Sequence, residues 1–342
     1  MTIYLIGPID KGNVPTNGVT MKNQLFEKRF KELFDKVIAI DTWQLSRKPW
    51  NIIKVLKALF TRNANIIISG GHSARRIFNL SYKLKLKNNI YFWVAGGSLP
   101  SAIKSGLYDI NALNSLKAVI VQGVSMRDAL TSLGVKNAVY VPNSKPVDYT
   151  PNIVENKEKV IRFVFLSRVH PDKGCDDIIA AVKALNEQGY ENSFEVDFYG
   201  SVFDTYSESF YNGIKPIKNV NYRGFLDVTV RQGYETLSGY DVMLFPTYWE
   251  GEGFPGVVID AYIAGLPIIA SDWNLNKEVI KEGETGFIIG VKKPAELEDR
   301  MKQFIQGKYN LYAMRLNCVE YAKEFDFRNV LSVELMKTLG LL

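Results

Sequence analysis

Apolar residues fall into two recurring patterns along this chain. Short unbroken runs occur at Ile3–Ile6, Val37–Ile40, Ile66–Ser69, Ile90–Val94, Val119–Gln122 and Ala138–Val141. Runs of this length without polar alternation fit strands buried on both faces. Between them the apolar spacing lengthens to a helical period, as over Thr20–Phe34 and Pro49–Phe60. Strand and helix alternating in this way imply a parallel sheet covered by helices on both faces. Residues 142–156 are rich in Pro, Asn, Ser and Thr, carry no apolar period and read as a linker. The plan then repeats. Strands are expected at Ile161–Ser167, Glu195–Tyr199, Val220–Tyr222, Val242–Phe245, Ile268–Ala270 and Phe287–Ile289. Helices are expected at Asp176–Leu185, Val230–Ser238, Val257–Ala264 and Ala295–Gln306. The tail is amphipathic through Val330, Leu331, Val333, Leu335, Met336 and Leu339, so its apolar side needs a surface to cover. The fold class is α/β, two Rossmann-like domains facing across a cleft between the carboxyl ends of their sheets.

Composition narrows the function classes. The chain has 342 residues, which favours two domains. It is 46% hydrophobic and 23% charged, within the range of a globular protein. No apolar run approaches the ~20 residues of a membrane span. The N-terminus lacks the basic and apolar regions of a signal peptide, so a cytoplasmic location is expected. Cys175 and Cys318 are expected as reduced thiols, and with only His72 and His170 beside them the chain argues against a nitrogen–sulfur zinc site. Charge is divided unevenly. Residues 1–150 hold 21 Lys and Arg against 8 Asp and Glu, net +13, and residues 151–342 hold 21 against 28, net −7. The positive half calls for an anionic partner: nucleic acid, a membrane surface or a phosphorylated substrate.

The most informative stretch follows the strand Val242–Phe245. Pro246 ends that strand, and Gly251, Gly253 and Gly256 then let the backbone turn tightly and approach a ligand. The next helix points its N-terminus back at this loop, where free N–H groups and the positive dipole end favour an anion or a sugar oxygen. Glu252 and Asp260 stand eight positions apart across the junction; eight beyond Glu250 is the apolar Val258, so the register favours Glu252. A plain helix cap with solvated acids is the alternative.

Four other constellations bear on chemistry. Arg168 and Lys173, five apart in the loop after the strand at 161–167, can hold two oxygens of a diphosphate, or stand as solvated surface cations. The loop Gly7–Thr20 follows the first strand and contains neither a G-x-G-x-x-G nor a Walker pattern, which argues against a dinucleotide site. His72, and Gly96 with Gly97, follow strands and so face the cleft. His72 could contact an acceptor or cap a helix, and the glycines could admit a ligand or make a turn. Over residues 43–87, Arg47, Lys48, Lys54, Lys57, Arg75, Arg76, Lys83, Lys85 and Lys87 accompany Trp43, Trp50 and aliphatic residues. That mixture suits an anionic membrane surface, or an ordinary amphipathic helix.

The run PTYWEGEGFPGVVIDAYIAGLPIIASD (246–272) resembles the signature of retaining GT-B glycosyltransferases, glycosyltransferase family 4 (group 1). The segment around Arg168 and Lys173 resembles that family's Gly-Arg-(five residues)-Lys-Gly segment, with Ser167 in place of the usual glycine. The resemblance implies an enzyme that moves a hexose-type sugar from a nucleoside-diphosphate sugar to a hydroxyl of a glycan or lipid-linked acceptor, with retention. It implies that Glu252 touches the transferred sugar and Asp260 the ribose. Arg168 and Lys173 clamp the diphosphate, and main-chain groups of Gly253, Phe254, Pro255 and Gly256 line the donor site. Asn17 and Gly18 would lie near the donor phosphates, the alternative for that loop being a plain turn; His72, Gly96 and Gly97 would lie on the acceptor side. Two departures stand out. Asp260 replaces the usual Glu and is one methylene shorter, and Pro255 replaces Gly and removes an N–H donor. No Asp-x-Asp occurs, so a metal-independent reaction without a cofactor is expected. Residues 1–147 become the acceptor-side domain, 151–320 the donor domain and 321–342 a C-terminal helix returning to the first domain. The glycosyltransferase context favours a membrane surface over nucleic acid as the partner of residues 43–87, at the inner face of the plasma membrane, with surface polysaccharide biosynthesis as the setting. A nucleotide-sugar epimerase or a non-catalytic GT-B partner subunit would share the fold.

Overall fold

A computed structural model describes residues 2–11, 17–71, 74–154 and 160–342, with Ser46 described by its backbone alone. Among the described residues, twelve strands form two six-stranded parallel sheets. The first holds β1 (Thr2–Gly7), β2 (Lys36–Asp41), β3 (Asn65–Gly70), β4 (Asn89–Val94), β5 (Ala118–Val121) and β6 (Ala138–Tyr140). The second holds β7 (Ile161–Leu166), β8 (Phe194–Tyr199), β9 (Val220–Tyr222), β10 (Val242–Phe245), β11 (Ile268–Ser271) and β12 (Gly286–Ile289). All twelve coincide with the apolar runs within a residue or two. Those runs are legible because parallel strands bury both faces: Ile66, Ile67 and Ile68 of β3 are all buried.

Strand order fixes where a ligand can enter. The first sheet runs β2-β1-β3-β4-β5-β6, so its order reverses between β1 and β3. The second runs β12-β11-β10-β7-β8-β9 and reverses between β7 and β10. At a reversal the connecting helices leave to opposite faces and open a crevice at the strands' carboxyl ends. The loops after β7 and β10, which carry Arg168–Lys173 and Pro246–Glu250, both leave the second sheet at this reversal.

The chain divides into two compact units: Met1–Pro146 with Gly251–Phe254 and Phe325–Leu342, and Val147–Glu250 with Pro255–Glu324. In the first unit, one face of the sheet, with Trp93 of β4, packs on Phe26 and Phe30 of the helix Gly18–Leu33, on Phe34 that caps it, and on Leu331, Met336 and Leu341 from the tail. Phe26 and Trp93 lie 4.5 Å apart between ring centroids. Tyr91 Oη donates to Leu339 O at 2.8 Å and Arg29 Nε to Leu331 O at 3.1 Å. The tail, read from sequence as one helix, is broken into Phe327–Val330 and Val333–Thr338. Asp326 caps the first and Ser332 the second, each side-chain oxygen accepting a backbone N–H that would otherwise lack a partner. In the second unit the core gathers Phe163, Phe165, Ile178, Val182, Phe198, Phe210, Leu244 and Leu297. No helix among the described residues is long and apolar enough to cross a membrane.

Candidate active site

The β7 and β10 loops of the second unit are locked together. After β7 the chain makes a 3-10 turn at Pro171–Lys173, passes through Gly174 at φ 78° and enters the helix Cys175–Glu187. A Cβ on Gly174 would lie 2.3 Å from Pro246 O, so the left-handed backbone and the close approach of the β10 loop both require glycine. Tyr248 N donates to Asp172 O at 2.8 Å across the same junction. This packing brings Arg168 and Lys173 to one aromatic ring. The Arg168 guanidinium stands 5.0 Å from the Trp249 ring centroid and Lys173 Nζ 5.7 Å. Arg168 is exposed, whereas Lys173 is buried. His170 meets Trp249 edge-on at 5.2 Å and Phe203 at 4.8 Å, while its Nδ1 accepts from Asp172 N at 3.1 Å. Accepting at Nδ1 leaves the proton of the neutral ring on Nε2. Two cations gathered at one ring at a sheet's carboxyl end can hold a dianionic group such as a diphosphate.

Pro255 is the N-cap of the helix Gly256–Ile263, in extended conformation, with no side-chain cap. Asp260 lies one turn in and is buried. Tyr234 Oη donates to its Oδ1 at 2.8 Å. Burial first, then the charge of Asp260 and that hydrogen bond, push the Tyr234 hydroxyl well above its ordinary value, so it remains a donor. Tyr248, on the other side of the β10 loop, is pushed up to about 12 by burial and by Asp177, Asp172 and Asp176, and Lys292 Nζ sits 4.5 Å from its ring.

Glu252 belongs to the segment Gly251–Phe254, which clusters with the first unit. A Cβ on Gly253 would lie 3.0 Å from Gly96 Cα, and one on Gly96 would lie 3.2 Å from Gly251 O. Gly96 has φ 91°. The two glycines therefore form a close backbone contact that places Gly96 directly beneath the Glu252 segment, while Gly97 is half-buried beside it. Asn143 Nδ2 donates to Phe254 O at 3.1 Å, and Phe254 packs edge-on against Phe325 at 5.3 Å. Asn17 is the N-cap of Gly18–Leu33, its Oδ1 accepting from Val19 N and Thr20 N, so that oxygen already has a structural duty. A Cβ on Gly18 would meet nothing within 4 Å, so glycine is not sterically required there. His72 lies outside the described residues.

Sequence reasoning missed three side chains. Trp249 sits inside the glycine-rich acidic motif, but its pairing with Arg168 and Lys173 is a tertiary fact. Tyr234 comes from another helix and reaches Asp260 only in the fold. Lys22 had a usable signal: it precedes Phe26 and Phe30 at helical spacing, so it shares their buried face. It is 6% exposed, donates to Val94 O at 3.3 Å and lies 5.6 Å from the Phe26 ring. Burial pushes its ammonium down to about 7. Among the described residues no group of three or more His, Cys, Asp or Glu is placed to hold a metal ion.

Residues 148–325, just over half of the chain, match the family described as glycosyl transferases group 1. The chain belongs to that family. This family member is 27% identical over 182 residues to an uncharacterized 41.2 kDa protein in the cps region of Klebsiella pneumoniae, covering 52% of this chain and 46% of that one. It is 26% identical over 190 residues to the capsular polysaccharide biosynthesis glycosyltransferase CapM of Staphylococcus aureus, covering 53% and 48%. The chain thus spans about half the length of the curated relatives it matches. Among solved structures, Anabaena Alr3699/HepE in complex with UDP superposes with TM-score 0.75 at 15% identity over 100% of both chains. Sucrose-phosphate synthase from Thermosynechococcus elongatus superposes with TM-score 0.76 at 14% identity over 99% of both. At these identities the likeness shows the fold, two Rossmann-like α/β domains of the GT-B type.

Proposed function

We propose that this group 1 glycosyltransferase moves a hexose-type sugar from a nucleoside-diphosphate sugar to a hydroxyl of a glycan or lipid-linked acceptor, with retention, in surface polysaccharide synthesis. The observation that carries the reading is the convergence of Arg168 and Lys173 on the Trp249 ring at the β7/β10 crevice. Solved neighbours with bound UDP and UDP-glucose, a relative in a cps region and a relative named for capsular polysaccharide biosynthesis support it.

In this reading the bond from the anomeric carbon to the diphosphate oxygen breaks while the acceptor oxygen bonds on the same face. The acceptor proton passes to the departing diphosphate oxygen. Arg168 and Lys173 stabilise the charge that builds on that diphosphate, without a metal or cofactor. Glu252 contacts the transferred sugar and Asp260 the ribose, the latter with Tyr234 holding one carboxylate oxygen. Gly253, Phe254, Pro255 and Gly256 line the donor site, Asn17 and Gly18 approach its phosphates, and His72, Gly96 and Gly97 stand on the acceptor side.

A second element of the proposal is peripheral attachment to an anionic membrane, and no nucleic-acid partner. The helix Trp50–Phe60 buries Val55, Ala58 and Leu59 yet exposes Trp50 at 73%, Ile53 at 56% and Phe60 at 61%, with Lys54 and Lys57 also exposed. An apolar stripe flanked by lysines suits insertion at a headgroup boundary. Flotation with vesicles containing phosphatidylglycerol should retain the wild type and release Trp50→Glu with Ile53→Glu. Equal flotation of both would refute attachment through this helix.

The enzymatic reading is tested by a thermal-shift panel of UDP-, GDP-, ADP- and dTDP-sugars, because a ligand that binds only the folded state raises its stability by mass action. One nucleotide should stand out, and turnover should require an acceptor. Equal silence across the panel would sink the reading. Conversion of the sugar nucleotide into free sugar or UDP without acceptor would favour the epimerase alternative.

A further inference from the structure

We propose that Trp249 is the positioning residue of the diphosphate clamp: its ring face holds the Arg168 guanidinium and the Lys173 ammonium side by side before any anion arrives. The inference rests on the clamp reading given above. Two like charges brought to one crevice repel each other, and Lys173 is only 5% exposed, so water can do little to screen it. An indole face carries negative quadrupole density and attracts cations within about 6 Å more strongly than the other aromatic rings do. Both cations meet that criterion at 5.0 and 5.7 Å.

Residue 249 is held by its backbone, and its ring by one edge contact. Trp249 O accepts from Trp273 Nε1 at 2.8 Å, and Trp249 N donates to Thr247 Oγ1 at 3.3 Å. Ser271 Oγ donates to Thr247 O, tying the same turn to the end of β11. The ring edge abuts His170, which in turn abuts Phe203. The two hydrogen bonds of residue 249 use its backbone, so they survive a change of side chain. A substitution there alters the face offered to the cations and leaves the turn in place. Leucine supplies apolar bulk without a quadrupole, and phenylalanine keeps an aromatic face.

The experiment measures binding of inorganic pyrophosphate by calorimetry to wild type, W249F, W249L and R168A, with circular dichroism confirming that each is folded. Wild type should bind. W249L should bind about tenfold more weakly, W249F within about threefold of wild type, and R168A more weakly than either. Pyrophosphate should also change tryptophan emission in the wild type and leave it unchanged in W249F. Pyrophosphate bound equally by wild type and W249L but lost in R168A overturns this inference while leaving the clamp standing. Wild type without affinity, or R168A indistinguishable from it, removes the clamp and this inference with it. Should W249L fail to fold, W249F decides: its emission must lose the pyrophosphate response, and a response of wild-type size refutes the proposal.

Discussion

Replacing Lys22 by methionine should stabilise the protein most in mild acid. Lys22 lies on the buried face of the helix Gly18–Leu33, and burial alone lowers its ammonium from 10.5 to about 7. Below about pH 7 both folded and unfolded chains hold the proton, and the folded state carries the whole cost of the buried charge. Each tenfold change in proton affinity corresponds to about 1.4 kcal/mol, so that cost is about 4–5 kcal/mol. Between about pH 7 and 10.5 the unfolded chain binds a proton that the folded chain lacks. Stability therefore climbs with pH across that window, and the cost falls to about 2 kcal/mol at pH 9. Methionine matches the length of the stem without the charge. It forgoes the hydrogen bond to Val94 O, a loss of about 1 kcal/mol. K22M should thus exceed wild type by about 3–4 kcal/mol at pH 6 and by about 1 kcal/mol at pH 9. Urea denaturation followed by hydrogen exchange in residues 18–33 reads the first unit separately from the second. A K22M advantage that is the same at both pH values, or a K22M protein less stable than wild type at pH 6, would refute the reasoning.

Three further outcomes follow from the packing. Gly174→Ala combines a left-handed backbone with a Cβ 2.3 Å from Pro246 O, so it should cost at least about 1–2 kcal/mol and lower the melting temperature of the second unit by about 4 °C or more in calorimetry. Gly253→Ala must displace Gly96 backbone, and turnover should fall more than the roughly 1–3 kcal/mol of stability that overpacking removes. Tyr234→Phe removes the hydroxyl that donates to the buried Asp260 carboxylate and should cost about 1–3 kcal/mol in denaturant titration.

The sheets were legible because parallel strands are apolar throughout: each run such as Ile66–Ser69 has no other use for its residues. Short helices such as Ile110–Asn114 and Asn276–Val279 escaped notice because four or five residues carry no period. The tail kept its apolar pattern across 330–339, yet Ser332 restarts the helix by capping Leu335 N, a local hydrogen bond that overrides periodicity. At the candidate site, spacing alone placed Arg168 and Lys173 on one loop. What joined them was Trp249, more than seventy positions away, and that required the β7–β10 pairing. Asp260 was legible as an acid eight beyond Glu252, while its partner Tyr234 was not. At Asn17, which resemblance assigns to the donor phosphates, the fold adds a helix cap: its side-chain oxygen accepts from Val19 N and Thr20 N.

The proposed chemistry depends most on the Arg168–Lys173 clamp. The deciding measurement is single-turnover sugar transfer by wild type, Arg168→Ala and Lys173→Ala, using the nucleotide sugar that stabilises the protein and a glycan acceptor. Loss of electrostatic stabilisation of a departing diphosphate predicts that each variant slows by about 100-fold or more. Transfer by both variants at near wild-type rates would contradict it.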